Sequence, residues 1–274
     1  MKRIINIHPS DGVKLMLGVL PFILALLAYM IASDMRLAEN AGDKLLPSFS
    51  SIGEAIQRFA FEPSKRTGEI LLWVDTASSL TRLAMGVGVS AVIGFFVGVA
   101  CGVVPYVRAN LSPFVRVLSM VPPIALLPIL FIVFGLGEVS KVVLIVLGIA
   151  PFIARDVQQR VEELPHEQMI KAQTLGASTW QIIIRVVIPQ VMPRLLNAVR
   201  LSLGPAWLFL IAAEAIASTD GLGYRIFLVR RYLDMETILP YVVWITLLAY
   251  LMDLGLKKTI RVAFPWFEGK RDDA

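Results

Sequence analysis

The sequence predicts an all-α integral membrane protein of six transmembrane helices with a helical cytoplasmic loop, and three observations predict it. First, the 274 residues are 57% hydrophobic with mean hydropathy +0.72, more apolar than soluble domains, in which about half the residues are apolar. Second, the charged residues, 17% of the chain, gather in short blocks between apolar runs of about twenty, the length that crosses a bilayer. Third, sixteen of the 26 Lys and Arg fall on one side of the resulting topology. This positive-inside bias places both termini, and the stretch from Arg155 to Pro189, in the cytoplasm. One membrane domain is expected over residues 1–274.

The first span, Leu15 to Ser33, follows Lys2, Arg3 and Lys14 and tolerates Pro21. It lacks a small-residue cleavage site and reads as a retained span rather than a signal peptide. Residues 34–75 form an external connection in which Ser51 and Glu54 make a capping-box pattern. Ile52, Ala55, Ile56, Phe59 and Ala60 then recur on one helical face, which either packs against the membrane helices or helps receive a soluble partner. The second span, Leu80 to Val104, carries Gly94, Gly98 and Gly102 at four-residue spacing, a close-packing signal in lipid. Arg82, near its outer end, can snorkel to the interface.

Pro105 to Ser112 is expected as an inner turn. The third span contains Pro122, Pro123 and Pro128, so it must be kinked or broken, and broken backbone at membrane depth lines cavities or lies buried in protein. These prolines are candidate pathway residues. Gly135 to Lys141 is an outer turn before the fourth span, Val142 to Ala154. The fifth span, Leu196 to Ala217, contains Pro205, Trp207 and Glu214. Residues 218–236 form an outer connection with a Gly turn and a short basic helix. The sixth span, Thr237 to Leu256, ends at Lys257, Lys258 and Arg261, with Trp266 at the interface.

Residues 155–189 interrupt the apolar pattern. Pro165 suits the first turn of a helix and Gly176 its C-terminal stop; Ser178 and Gln181 form a capping box for a second helix that Pro189 ends. On the first helix Met169, Ala172 and Leu175 recur every third residue with Ile170 beside them, while Glu167, Lys171 and Thr174 lie on another face. The residues describe an amphipathic peg outside the bilayer, which either meets a protein partner or rests on lipid headgroups.

Glu214 is the acidic residue well inside an apolar span, where an ionisable group costs a few kcal/mol unless it has a polar partner or water. It faces a substrate pathway or accepts hydrogen bonds locally, from Ser202, Ser218 or Thr219. Trp207, seven residues earlier on nearly the same face, lines the same cavity or packs. The net charge of +5 is explained by the positive-inside bias and not by nucleic-acid binding. Cys101 is the sole cysteine, and His8 and His166 have no ligand-spaced neighbours, so no disulfide or metal site is expected. No Ser-His-Asp constellation and no Gly-x4-Gly-Lys-Ser/Thr phosphate loop occurs, so no catalytic residue is assigned. A secondary transporter driven by an ion gradient is the alternative, though it would carry inverted repeats and has no need of the peg. A scaffold protein would not need kinked spans and Glu214.

Gly176 followed by Val186, Val187, Ile188 and Pro189 resembles the EAA loop of permease subunits in bacterial binding-protein-dependent ABC importers. Where that pattern has Glu-Ala-Ala, this chain has Ile170, Lys171 and Ala172. Further blocks in the same order, LLPSFSSIGEAI, SLTRLAMGVG, VPPIALLPILFIVFGLGEVSKVVLI, KAQTLGAS and LSLGPAWLFLIAAEAIASTDGLGYRI, are similar to permeases of the nitrate, sulfonate and taurine importer family. ELPHEQMIKAQTLGASTWQI and FLVRRYLDMETILPY look similar to its urea-carboxylase-associated group, linked to urea- or guanidine-type compounds. The resemblance implies a type I importer permease of the bacterial inner membrane that pairs with a second copy. It implies two separate ATPase subunits that bind the ATP and Mg, and a periplasmic or lipid-anchored substrate-binding protein. It also implies that Pro165, Glu167, Met169, Ile170, Lys171, Ala172, Leu175, Gly176 and Ala177 form the ATPase-coupling helix.

Overall fold

The computed structural model describes residues 10–268 except 41 and 66; Lys2, Arg3, His8, Lys270 and Arg271 lie outside the described residues. Every regular element among those described is helical. The first, α1 (Asp11–Glu39), keeps Pro21 in its interior and buries only Ser33. Its remaining length presents apolar side chains outward, as suits lipid. One end is pinned: Tyr29 donates to the Pro47 carbonyl (2.7 Å) and Ser33 to that of Leu46 (3.0 Å).

The short helix α2 (Phe49–Ala60) starts earlier than its predicted cap. Pro47 sets the chain entry and Ser48, the next residue, accepts from the Ser51 N–H, so no box forms at Ser51 and Glu54. Its stripe packs: Ala55 and Ala60 are buried, and Phe59 meets Tyr241 edge-on at 6.0 Å.

The long helix α3 (Leu71–Val103) has 33 residues, about 50 Å, and begins nine residues before its predicted apolar span. It lies along α6 (Glu138–Glu162), and the glycine stripe is what lets it do so. A Cβ at Gly94 would stand 2.5 Å from Ile153, at Gly98 2.6 Å from Val157 and at Gly102 2.5 Å from Val161. The core of the chain is this seam together with the inner face of the later helix Ile188–Ala217.

The expected turn at 105–112 is instead the first half of α4 (Pro105–Leu118), because Pro105 occupies the first helical position, where a missing N–H costs nothing. A break follows, then a 3-10 turn (Pro123–Leu126) and α5 (Leu127–Phe134), bent 83° from α4. Pro123 and Pro128 each sit in the first turn of their segment, so the prolines divide the third span into two helices.

α6 runs two turns beyond Arg155, which shortens the expected loop. After it come α7 (His166–Thr174), α8 (Thr179–Ile182), a π-helical segment (Ile183–Val187) and α9 (Ile188–Ala217). Pro189 does not end the second loop helix. The π segment absorbs it by widening the turn that would lose a donor and clash, so Thr179–Ala217 is one run of 39 residues. The chain closes with α10 (Leu222–Arg230), α11 (Met235–Ala263) and the short α12 (Pro265–Glu268).

Among the described residues four helices are long and apolar enough to cross a membrane, or five counting the bent pair, a measure that does not confirm the predicted count of six. The fourth predicted span has an apolar stretch of only Val142 to Ala154, shorter than a bilayer, within a 25-residue helix that packs against α3 and α9.

Candidate functional site

Two constructions stand at opposite ends of the run Thr179–Ala217. At its start is the peg. Pro165 precedes α7 in extended backbone, with Glu167 in the first turn near the positive helix end. Gly176 stops the helix at φ +78, a left-handed conformation that a side chain would strain. The Gly176 N–H donates to Gln173 (2.9 Å) and the Ala177 N–H to Ala172 (3.0 Å), the paired bonds of a Schellman turn. Ser178 and Gln181 then form both halves of the predicted capping box.

The peg's faces differ from expectation. Met169, Ala172 and Ala177 pack on the core, and Gln190 of α9 donates to Gln168 (2.9 Å), so this side holds the peg down. Ile170 and Leu175 point away, 57% and 87% exposed, beside exposed Glu167, Lys171 and Thr174. The physical reason is helical drift: residues three apart slip about 60° per step, so Leu175 lies about 120° from Met169. Two recesses flank the peg. One of about 610 Å³ is bounded by Arg160, Glu163, Gln168, Arg194 and Trp266, and one of about 370 Å³ contains Arg108, Glu162 and His166. In the first, the Arg160 guanidinium at 2.8 Å holds the Glu163 carboxyl below the usual carboxylate range.

At the far end is a buried polar clasp. Glu214 is fully enclosed and accepts from Ser79 Oγ (2.8 Å), Arg82 Nη1 (2.8 Å) and the Gly223 N–H (2.9 Å). Of the predicted partners, Ser202 donates to the Ala198 carbonyl, Ser218 donates to that of Asp220, and Thr219 is exposed. Arg82 does not snorkel. It is 4% exposed, and all five of its N–H donors are used. Nε and Nη2 reach Glu138 (2.5 and 2.9 Å), Nη1 reaches Glu214 and the Asp220 carbonyl (3.1 Å), and Nη2 also reaches the Asp220 carboxylate. Lys141 Nζ donates to Glu138 (2.8 Å) and Ser218 (3.0 Å).

Beside this node, Asp75 accepts from Arg225 Nε (2.8 Å), the Tyr241 hydroxyl (3.2 Å) and the Gly221 N–H (3.0 Å). The Leu222 N–H donates to Ser79 (2.8 Å). Three successive N–H groups entering α10 are thus met by Asp75, Ser79 and Glu214, which completes the positive end of that helix with the chain's own acceptors. Gly221 adopts φ +112, and a Cβ there would stand 2.5 Å from the Glu214 carboxylate.

Trp207 lies in the core, 4% exposed, and its indole N–H has no partner among the described residues. Pro122 and Pro128 are exposed on the broken span, whose 3-10 turn touches α9. Glu214 therefore sits inside a closed network, while Pro122 and Pro128 lie at the protein surface and Pro123 is half-buried.

Residues 90–256 match the family model described as the binding-protein-dependent transport system inner membrane component. The taurine transport system permease protein TauC of Escherichia coli strain K12 is 37% identical over 195 residues, 71% of each chain. The bicarbonate transport system permease protein CmpB of Synechococcus elongatus is 29% identical over 184 residues, 67% of this chain and 66% of the relative. A solved structure of the MetNI methionine ABC transporter in inward-facing conformations superposes with TM-score 0.62 at 25% identity. The match covers 70% of this chain and 95% of that one. This chain belongs to the binding-protein-dependent transport system inner membrane component family and is a multi-pass, non-catalytic permease subunit of an ABC importer of small solutes.

Proposed function

We propose that the chain, paired with a second copy, forms the translocation pathway for a small polar solute containing nitrogen or sulfur, and that α7 couples it to a separate ATPase subunit. ATP and Mg act on two such partner subunits, at the bacterial inner membrane with both termini of this chain in the cytoplasm. A periplasmic or lipid-anchored binding protein delivers the solute to the opposite face. The taurine and bicarbonate relatives support a small, polar solute, and the urea- or guanidine-type resemblance keeps nitrogen compounds in that class. Screening taurine, bicarbonate, urea and guanidine against the binding protein encoded beside this chain selects among them.

The observation that carries the coupling reading is the split face of α7. Ile170 and Leu175 are apolar yet turned out beside Glu167 and Lys171, on a peg whose other face is fastened by Met169, Ala172 and Gln168. Through Gly176 and Ala177 the peg joins one continuous helix into the bundle, so a pull on it displaces α9. ATP binding draws the two ATPases together, and the spans switch between inward- and outward-facing arrangements. The broken span at Pro122, Pro123 and Pro128 forms part of the pathway wall, with Trp207 and Glu214 behind that wall on α9.

Ile170→Asp with Leu175→Asp is the test. Both side chains are exposed, so the folded chain should be retained to within about 0.5 kcal/mol. Uptake should be abolished, and the ATPase should no longer copurify or should hydrolyse ATP without transport. Wild-type uptake by the double variant would refute the coupling role. Ala172, which packs inward, is a poor probe because an Asp there would disturb the fold.

A further inference from the structure

We propose that the Ser79–Arg82–Glu214 clasp is a positioning device that makes the connection from Ser218 to Asp234 a rigid extension of α9, so that motion at the peg arrives undiminished at the opposite face. The proposal rests on the coupling reading above.

The argument is geometric. The run Thr179–Ala217 has 39 residues, about 58 Å, and leads without interruption from the turn after α7 to Glu214. A helix transmits displacement only as far as its end is gripped. Here α9 and the adjoining α3 grip together: Glu214 of α9 holds the Gly223 N–H, while Ser79 and Asp75 of α3 hold the Leu222 and Gly221 N–H groups. Arg82 spans from Glu214 to both the carbonyl and the carboxylate of Asp220.

Gly221 and Gly223 are shaped to this contact. A Cβ at Gly223 would stand 2.8 Å from the Ile211 carbonyl oxygen and 3.0 Å from Glu214 Cβ. The loop thus lies on α9 at a distance no side chain permits. At its other end the connection enters α11 through Leu233, held at φ +56, and Asp234, which caps that helix. The segment has little slack at either end. Its exposed tip, Tyr232, should follow α9 in each cycle.

Spin labels test this in the assembled complex with its ATPases. Arg185→Cys reports the peg end and Tyr232→Cys the far end, each as a distance between the two copies; native Cys101 is buried and does not compete for label. The probe is ATP with vanadate. In the otherwise unaltered chain both distances should shift, at the same nucleotide concentration. In Gly221→Ala, whose Cβ displaces the Glu214 carboxylate, the Arg185→Cys shift should persist and the Tyr232→Cys shift should be lost.

Ser79→Ala removes the hydroxyl from the clasp without adding bulk. It should give the same loss of correlation, and it keeps the test decisive where Gly221→Ala does not assemble. A Tyr232→Cys shift that stays intact in the assembled variants overturns the proposal and leaves the coupling reading standing. A merely structural clasp would give that outcome with a lowered melting temperature, because the ratio of the two shifts would not change. Absence of any Arg185→Cys shift in the unaltered chain would instead remove the coupling reading and the proposal with it.

Discussion

Arg82→Met should destabilise the folded chain by about 3–5 kcal/mol, the cost of taking one partner from a buried ion pair. The guanidinium joins α3 to α6 through Glu138, to α9 through Glu214 and to the following loop through Asp220. Without it the Glu214 carboxyl is left in a fully enclosed site with only Ser79 and the Gly223 N–H to meet it. Arg82→Lys should recover little, because one ammonium group cannot span three carboxylates. Glu138→Ala takes the acceptors from Nε and Nη2 of buried Arg82 and from buried Lys141, so although the Glu138 side chain is itself 56% exposed the change should cost about 1–3 kcal/mol.

Combining Arg82→Met with Glu214→Gln should be less damaging than the sum of the two single changes by at least about 1 kcal/mol, because both remove the same contact. Unfolding in detergent followed by tryptophan fluorescence measures the cycle. An Arg82→Met midpoint equal to that of the parent would show that water, rather than protein, satisfies these carboxylates.

The apolar runs that made this chain readable as a membrane protein also set the limits of that reading. Helices α3 and α6 extend well past their apolar segments; the outer end of α3 carries Asp75, Ser79 and Arg82, which meet polar groups of the protein instead of water. A hydropathy pattern reports contact with lipid and is silent about such polar ends. Local chemistry was more legible. The Gly176 stop and the Ser178–Gln181 box depend on neighbours within a few residues, and both formed. The Ser51–Glu54 box failed for an equally local reason, the competing cap after Pro47. Pro189 failed as a terminator because a π segment offered the helix a second way to accommodate it.

The clasp was legible only in part. Asp75, Ser79 and Arg82 recur at i, i+4 and i+7, a polar stripe on an otherwise apolar helix. That stripe announces burial of something polar. Its partners, however, lie on other helices far along the chain, and no local spacing pairs Arg82 with Glu214 or Asp75 with Arg225. Snorkelling was the natural reading of a lone arginine near a span end; three converging carboxylates make burial the cheaper state.

Gly98→Ala should cost about 3 kcal/mol, out of proportion to one methyl group, because of what that methyl meets. The new Cβ would stand 2.6 Å from Val157 and 2.7 Å from the Ala154 carbonyl oxygen. A side chain can be cut back, but a backbone oxygen moves only if α6 moves, and overpacking of this kind separates helices. Gly98→Ala should therefore resist rescue by Val157→Gly. Gly148 supplies the contrast. The three atoms nearest a Cβ there all belong to the ring of Phe209, so Gly148→Ala should regain most of its stability when Phe209 becomes Leu. Thermal unfolding of the two single and two double variants tests this, and equal rescue at both sites would contradict it. The consequence extends beyond the seam: Arg82 and Glu138 bridge the same two helices, so a wedge at Gly98 stretches the clasp and should lower the melting temperature and the α9-to-loop correlation together.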